Sequence, residues 1–185
     1  MINVTDARKG TTIELDDALY EVLEYEHIKM ARGSAQVRLR LRDVRGGHNI
    51  DRTFQSTAKF ARARVERQPA QFLYQDGDLY YFMNTKTYDQ TPLNRNQVDS
   101  GIDYLVENAT CELLTYGDEA IGIHLPAAVV LTVAQTDPWV KGDTAQGATK
   151  PANMETGLTL QVPLFVSNGD KLKVDTRSGE YLERA

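Results

Sequence analysis

The sequence predicts an all-β protein made of three small β-barrel domains, and three features of the 185-residue chain lead to this prediction. Candidate strands recur about every 8–12 residues with turn-forming residues between them, which is typical of small barrels. Apolar residues follow a helical spacing at one place, which predicts a short helix near residues 99–107. Three barrels of about 60 residues each fit the length, and each is near the lower size limit for an independent core.

The clearest strand of the first barrel lies at residues 36–42, where apolar and polar residues alternate strictly. As a strand, this segment buries Val37, Leu39 and Leu41 on one face and presents Gln36 and three arginines on the other. A strand, a turn and a return strand are predicted around it at residues 19–27, 45–49 and 50–54.

The middle barrel is predicted from two hairpins. Residues 72–83 form the first, because Asp76-Gly77-Asp78 stands between two runs rich in aromatic residues and an Asp-Gly pair is a strong hairpin signal. Residues 111–115 and 121–125 form the second, with a turn between them.

The third barrel is predicted from four strands and a long polar loop. The loop spans residues 137–150, and Pro163 is expected at a sheet edge or a bulge because it cannot donate a ladder hydrogen bond. The predicted strands are residues 129–133, 158–166, 171–176 and 181–182. The predicted domain bounds are 1–63, 64–126 and 127–185.

Charge is distributed unevenly along the chain. The net charge is −5, yet residues 29–64 sum to +8 and residues 65–126 sum to −7. A strongly basic segment is the electrostatic footprint of a phosphate-backbone contact. Side chains on one face of a strand lie roughly 6.6–6.8 Å apart, so Arg38, Arg40 and Arg42 could track such a backbone.

Several classes of protein are disfavoured. No stretch approaches the roughly 18 apolar residues of a membrane span, and no apolar leader opens the chain, so we expect a cytoplasmic protein. The single cysteine, Cys111, is expected to be a small buried apolar residue. His27, His48 and His124 lack the spacing of metal ligands, and no phosphate-binding loop or nucleophile motif occurs. These observations favour a binding protein without metal or cofactor over an enzyme.

A motif in the third region resembles a known signature. Residues 150–169 contain Lys-x-Ala, then Gly, an aliphatic residue, Val-Pro, an aliphatic residue and Gly at fixed spacings. Every position resembles the signature of the bacterial elongation factor P family. Further stretches that resemble the family are Arg52-Thr53-Phe54, Tyr80-x-Phe82-Met83, Thr136-Asp137-Pro138, residues 141–144 and residues 173–181.

The resemblance implies an L-shaped protein, with an SH3-like KOW domain followed by two OB-fold domains. It implies a monomeric, non-enzymatic translation factor that binds the 70S ribosome between the peptidyl and exit sites. Its partners would be ribosomal RNA and proteins, the P-site peptidyl-tRNA and mRNA. Members relieve stalling when consecutive prolines are to be joined, and by positioning the peptidyl-tRNA such a factor lowers the entropic part of the ribosome's barrier.

The resemblance also assigns site residues. Arg32 matches the tip residue that approaches the peptidyl-transferase centre, and its neighbours in the tip loop are Met30, Ala31, Gly33 and Ser34. Contacts to the tRNA or rRNA backbone are expected from Lys29, Arg38, Arg40 and Arg42. Contacts to mRNA in the exit site are expected from Gly142, Asp143 and Thr144, whose backbone donors and short polar groups suit unstacked bases.

The tip residue in the family is a target of modifying enzymes. Many members carry a lysine that is extended at its amine, and another group carries an arginine that bears rhamnose. Arg32 cannot accept the lysine-type extension, and its flanks, Met30-Ala31 and Gly33-Ser34, depart from both family patterns.

Three alternatives remain open from the sequence. The Ala31-Arg32-Gly33 tip also resembles the elongation-factor-P-like paralogues, which would act on other stalling motifs. A general RNA-binding OB protein would share the basic segment. A small-molecule enzyme that uses the barrel clefts would show turnover without ribosomes.

Overall fold

The structure is a computed structural model that describes residues 1–28, 35–139 and 147–185. It contains three antiparallel sheets, each formed by a consecutive part of the chain, and helical structure is short. The all-β prediction is therefore confirmed.

The first sheet has six strands in the order β1-β6-β2-β3-β4-β5. They are β1 (Ile2–Asn3), β2 (Thr12–Leu15), β3 (Ala18–Ile28), β4 (Gln36–Asp43), β5 (Asn49–Gln55) and β6 (Lys59–Arg62), with a 3₁₀ helix at Val4–Asp6. The predicted alternation in β4 is confirmed, because Val37, Leu39 and Leu41 are fully buried. They pack with residues of the neighbouring strands, such as Val22 and Phe60, and form the core of the first sheet.

The middle sheet has five strands in the order β11-β10-β7-β8-β9. They are β7 (Val65–Asp76), β8 (Leu79–Asn84), β9 (Gln90–Asn94), β10 (Thr110–Tyr116) and β11 (Glu119–His124). Both predicted hairpins are confirmed, as β7–β8 and β10–β11. Cys111 lies in the core of this sheet and burial raises the pKa of its thiol to about 12, so it behaves as the apolar residue that was expected.

The predicted helix near residues 99–107 is only partly right. The α-helix α1 spans Arg95–Val98, and a 3₁₀ helix follows at Asp99–Tyr104. The helix begins early because Asn94 and Gln97 form a capping box, in which each side chain accepts from the other's backbone N–H. It ends early because Asp99 adopts a φ of 51°, which breaks the α-helical geometry.

The third sheet has five strands in the order β14-β13-β12-β15-β16. They are β12 (Ala128–Thr136), β13 (Thr149–Met154), β14 (Thr159–Pro163), β15 (Lys171–Asp175) and β16 (Tyr181–Arg184). Pro163 ends the edge strand β14, as predicted.

The predicted loop at residues 137–150 is wrong at its end, because β13 already begins at Thr149. Pro151 obscures this strand in the sequence, yet Lys150, Ala152 and Met154 alternate inward. Pro151 is tolerated because the pairing of β12 with β13 runs only as far as Ala152.

Candidate functional site

The arginines of β4 lie on the outer face of the first sheet. The side chains of Arg38 and Arg40 are 51% and 48% exposed, and each is held by one exposed ion pair. Arg38 donates to Asp51 at 3.0 Å, and Arg40 donates to Glu24 at 3.5 Å. Ion pairs as exposed as these contribute little to stability, so both guanidiniums remain available to a phosphate.

The neighbouring strand β3 offsets much of the positive charge of β4. Glu21 lies opposite Arg42 in the register, and Glu24 and Glu26 lie opposite Arg40 and Arg38. The net charge of +8 over residues 29–64 excludes these glutamates, because they precede that segment in the chain. The outer face of the first sheet is therefore mixed in charge, with the arginines in the middle.

Arg42 has a different environment from the other two arginines. Its side chain is only 18% exposed, and it pairs with Asp99 of the middle sheet's 3₁₀ helix. It also donates to the backbone oxygen of Asn96 at 3.3 Å. Asp99 reaches Arg42 from a left-handed backbone conformation that a non-glycine residue rarely adopts. The structure thus uses Arg42 to join the first sheet to the middle sheet.

Arg45 makes a second connection between these sheets. Its Nε and Nη2 donate to the two carboxylate oxygens of Glu119 at 2.9 and 2.6 Å, a bidentate pair. The hydrogen bond from Arg45 holds the pKa of the Glu119 carboxyl below its usual range, and the same bond raises the pKa of the guanidinium.

Apolar residues complete the joint between the first and middle sheets, which we call the first joint. Four buried side chains form a separate cluster there, contributed by both sheets and the chain between them: Leu19, Val44, Ala63 and Ile121. Gly47 also approaches Asn96 so closely that a Cβ at Gly47 would lie 2.9 Å from the Cβ of Asn96. The first joint is therefore a packed interface with ionic contacts at its rim.

The second joint, between the middle and third sheets, has a different construction. Tyr104 ends the 3₁₀ helix and packs into the apolar core of the third sheet, where it is 9% exposed. Burial raises the pKa of its hydroxyl. Thr156 donates to the backbone oxygen of Asp103, and Thr176 donates to that of Pro126, both at 2.6 Å.

Lys150 lies near the start of β13, a few residues after the predicted mRNA contacts in the chain. It is 7% exposed, and its ammonium donates to the backbone oxygen of Asp137. The backbone N–H of Thr136 donates to the side-chain oxygen of Asn168 at 2.7 Å, and the Thr136 hydroxyl donates to the backbone oxygen of Pro151 at 2.9 Å. These bonds connect the two chain ends from which residues 140–146 extend.

The residues predicted for the two functional loops lie outside the described part of the chain. They are Lys29, Met30, Ala31, Arg32, Gly33 and Ser34 in the first loop, and Gly142, Asp143 and Thr144 in the second. The strands that lead to the first loop are paired up to Ile28 and Gln36.

Three family models match consecutive parts of the chain. Residues 3–60 match the elongation factor P KOW-like domain, residues 65–123 match its OB domain, and residues 129–184 match its C-terminal domain. The chain belongs to the elongation factor P family.

Proteins named elongation factor P align with this chain over its full length. The chain is 50% identical over 185 residues to "Elongation factor P" of Moorella thermoacetica, and 48% identical over 184 residues to that of a Thermoanaerobacter species. Each alignment covers 100% of both chains. Among solved structures, translation initiation factor 5A from Methanococcus jannaschii aligns with a TM-score of 0.50 and 20% identity. That alignment covers 68% of this chain and 90% of the other, and it supports the fold.

Membership of the elongation factor P family makes this protein a ribosome-associated translation elongation factor rather than an enzyme. Within residues 1–28, 35–139 and 147–185, no helix is long and apolar enough to cross a membrane. The same residues contain no group of three or more metal-ligating side chains.

Sequence reasoning missed three residues that hold the site together. Asp99 and Glu119 carried no local signal, because their arginine partners are 57 and 74 residues away in the chain. Lys150 did carry a signal, since it opens the Lys-x-Ala motif that resembles the elongation factor P signature.

Proposed function

We propose that this protein binds the ribosome between the peptidyl and exit sites and stimulates peptide-bond formation at consecutive prolines by positioning the peptidyl-tRNA. The full-length membership of the elongation factor P family supports this proposal. The observation that carries it is the half-exposed pair Arg38 and Arg40, on the hairpin that leads to residues 29–34. Their carboxylate partners are exposed and can give way to phosphates.

The chemistry of proline gives the proposed activity a physical reason. Proline is a secondary amine in a rigid ring and reacts poorly in peptide transfer. Arg32 would contact the acceptor end of the peptidyl-tRNA, so that less orientational freedom is lost when the bond forms. Lys29, Arg38 and Arg40 would hold the tRNA or rRNA backbone, and Arg42 would first have to leave Asp99 to join them.

The remaining regions have separate proposed roles. The loop that contains Gly142, Asp143 and Thr144 would meet mRNA in the exit site, on a base fixed by Lys150. The acidic middle region would face basic ribosomal protein. The protein would act as a cytoplasmic monomer, with domains at 1–63, 64–126 and 127–185.

The decisive test is the rate of peptide-bond formation on ribosomes that translate a Pro-Pro-Pro message. We expect Arg32→Ala to abolish the stimulation while its thermal unfolding matches the parent protein. Arg64→Ala is the matched control, since the side chain of Arg64 is 91% exposed and its ion pair among the described residues is a 3.8 Å contact with Glu66. Stimulation by Arg32→Ala at the parent rate would contradict the role of the tip. A parent protein that acts only on other stalling messages would identify a paralogue.

The backbone contacts are tested by ribosome binding as a function of salt. Replacing both Arg38 and Arg40 by alanine should weaken binding and lower the salt slope by about one unit for each lost phosphate contact. The rate at saturating factor should stay near that of the parent, because the tip is intact. An unchanged salt slope would contradict the phosphate contacts.

The action of a tip-modifying enzyme is tested by the intact mass of the protein from its native cell, followed by peptide mapping across Arg32. A gain of one deoxyhexose on Arg32 would place the chain with the rhamnosylated members. An unmodified mass would mean that the bare guanidinium and its Met30–Ser34 flanks suffice.

A further inference from the structure

Two tyrosine rings stack on the outer face of the middle sheet, away from its core. Tyr74 of β7 lies opposite Tyr81 of β8, and their ring centroids are 4.7 Å apart with an interplanar angle of 19°. Tyr81 in turn lies opposite Pro92 of β9, so the three residues form a row across three strands. Tyr74 is 45% exposed and Pro92 is exposed as well. We call this row the tyrosine row.

The stacking prepares the tyrosine row for a ligand. Each ring restricts the rotation of the other, so little side-chain entropy is left to lose on binding. The core of the middle sheet does not need this pair, because Phe72, Tyr80 and Phe82 fill the inner face. Solvent-exposed tyrosines that are already ordered are typical of binding surfaces.

Acidic side chains stand next to the tyrosine row. Asp76 follows Tyr74 by two residues on the same strand, and Asp78 lies in the turn of the same hairpin. Both are exposed, and within the described residues neither has a basic partner in an ion pair. Residues 65–126 carry a net charge of −7, and Arg67, one of their three basic residues, is paired with Glu112.

We propose that the tyrosine row binds an arginine-bearing basic segment of a partner protein. A guanidinium is flat enough to lie on a tyrosine face, where the ring quadrupole attracts its charge, and its N–H groups can reach a neighbouring carboxylate at the same time. A lysine ammonium carries the same charge but is not planar and cannot stack on the ring, so arginine fits the site better. The stacked rings would also accept a nucleobase, but the surrounding negative charge repels a phosphate backbone.

This assignment rests on the proposed role of the acidic middle region in facing basic protein, and it names the residues and the side-chain type of that contact. Neither the Arg32 tip nor the loop of the third region contains a residue of the tyrosine row. Binding here can therefore succeed or fail whether or not the protein relieves stalling at prolines.

The test is a titration of the full-length protein with a short peptide in which arginine alternates with glycine, followed by amide NMR. We expect the largest shifts at residues 74–81 and 90–94, and weaker binding of the matching lysine peptide. Tyr74→Ala should weaken arginine-peptide binding about two- to fivefold, which corresponds to one lost exposed cation–π contact. Asp76→Asn should weaken it as well.

Control variants separate this contact from general attraction and from misfolding. Phe165→Ala removes an aromatic side chain of the third region that is 57% exposed, and it should bind like the parent. Tyr88→Ala removes a tyrosine of the middle region that is 71% exposed and lies outside the tyrosine row, so it should also bind like the parent. If Tyr74→Ala proves unstable, the weaker binding expected of Asp76→Asn provides the test.

Three results would overturn the proposal. One is equal affinity for the arginine peptide with and without Tyr74. Another is a set of amide NMR shifts that spreads over all acidic surfaces of the protein and is not concentrated at the tyrosine row. The third is an oligouridylate that shifts the same amides and binds more tightly than the arginine peptide, which would make the tyrosine row an RNA site.

Discussion

The two joints of the molecule connect similar sheets by different means. The first joint combines a cluster of buried apolar residues with two arginine–carboxylate connections, Arg42–Asp99 and Arg45–Glu119. At the second joint, Tyr104 enters the core of the third sheet, Val106 and Leu125 pack against that core, and threonine hydroxyls donate to backbone oxygens. The rim of the first joint is therefore sensitive to salt and pH, whereas no ion pair among the described residues crosses the second joint.

This difference matters because both joints lie between the sheets whose strands flank the two predicted functional loops. In the chain, residues 29–34 connect β3 to β4 of the first sheet, and residues 140–146 lie between β12 and β13 of the third. A change at either joint therefore moves the first sheet relative to the third while each sheet keeps its own core. The variants below remove one component of one joint at a time, in order of expected effect.

The largest effect is expected from Tyr104→Ala at the second joint. The ring packs into the core of the third sheet, and truncating a buried aromatic residue costs roughly 3–5 kcal/mol. Calorimetry should show the third sheet unfolding separately at a lower temperature. Tyr104→Phe keeps the ring and should unfold like the parent. A single, unshifted transition for Tyr104→Ala would mean that Val106, Leu125 and the threonine bonds maintain the second joint without the ring.

Ile121→Ala tests the apolar part of the first joint. Ile121 is 3% exposed in the cluster shared by the first and middle sheets, and its truncation should cost about 2–4 kcal/mol of unfolding free energy. Val130→Ala is the control, because Val130 is 47% exposed and its change should stay within roughly 0.5 kcal/mol. Denaturant unfolding measures both. Equal losses of unfolding free energy in the two variants would show that the burial of Ile121 at the first joint does not stabilise the protein.

Much of the fold was predictable because its signals are local. The strict alternation in β4 determines which side chains are buried, and the Asp76-Gly77-Asp78 segment identifies the β7–β8 hairpin, whose turn is at residues 77–78. The prediction errors occur where another residue changes the structure that the local pattern indicates. The helix prediction missed the capping box at Asn94, and β13 was missed because Pro151 obscures its alternation.

The candidate site was less predictable because the net charge of a chain segment does not show which charges become neighbours in the folded protein. The segment of residues 29–64 looked strongly basic, but its arginines face Glu24 and Glu26 across the sheet. Arg42 and Arg45 belong to the same segment, yet they bind carboxylates of the middle sheet. Only the pairing of strands and sheets reveals which arginines remain exposed.

Gly47→Ala tests how closely the two sheets approach at the first joint. Gly47 has a φ of +73°, and an added Cβ would lie 2.9 Å from the Cβ of Asn96. The left-handed conformation alone costs about 1–2 kcal/mol for alanine. Gly10→Ala is the matched control, because Gly10 has a φ of +81° and open space around its Cβ position. The unfolding free energy of Gly47→Ala should fall further than that of Gly10→Ala. Equal decreases would show that the Asn96 side chain moves aside with no measurable loss of free energy.

The smallest effect is expected from Glu119→Gln, which removes the charge of the bidentate pair with Arg45. The two side chains are 44% and 46% exposed, so solvent screening limits the loss to about 0.5–1 kcal/mol near neutral pH. High salt should shrink the difference between the variant and the parent. A difference in unfolding free energy that does not change with salt concentration would show that hydrogen-bond geometry rather than charge supports this contact.

The pH dependence of that difference identifies its source. Arg45 lowers the pKa of Glu119 in the folded protein, so the ion pair contributes its full stability above the ordinary pKa of a glutamate. The contribution disappears as the pH falls through the lower folded pKa, where the carboxyl takes up a proton. Other carboxylates with lowered pKa values, such as Asp170 and Asp175, titrate in both proteins and cancel in the comparison. The unfolding free energies of the parent and Glu119→Gln should therefore converge in acid, whereas the deficit of Ile121→Ala at the same joint should persist at every pH where the protein folds.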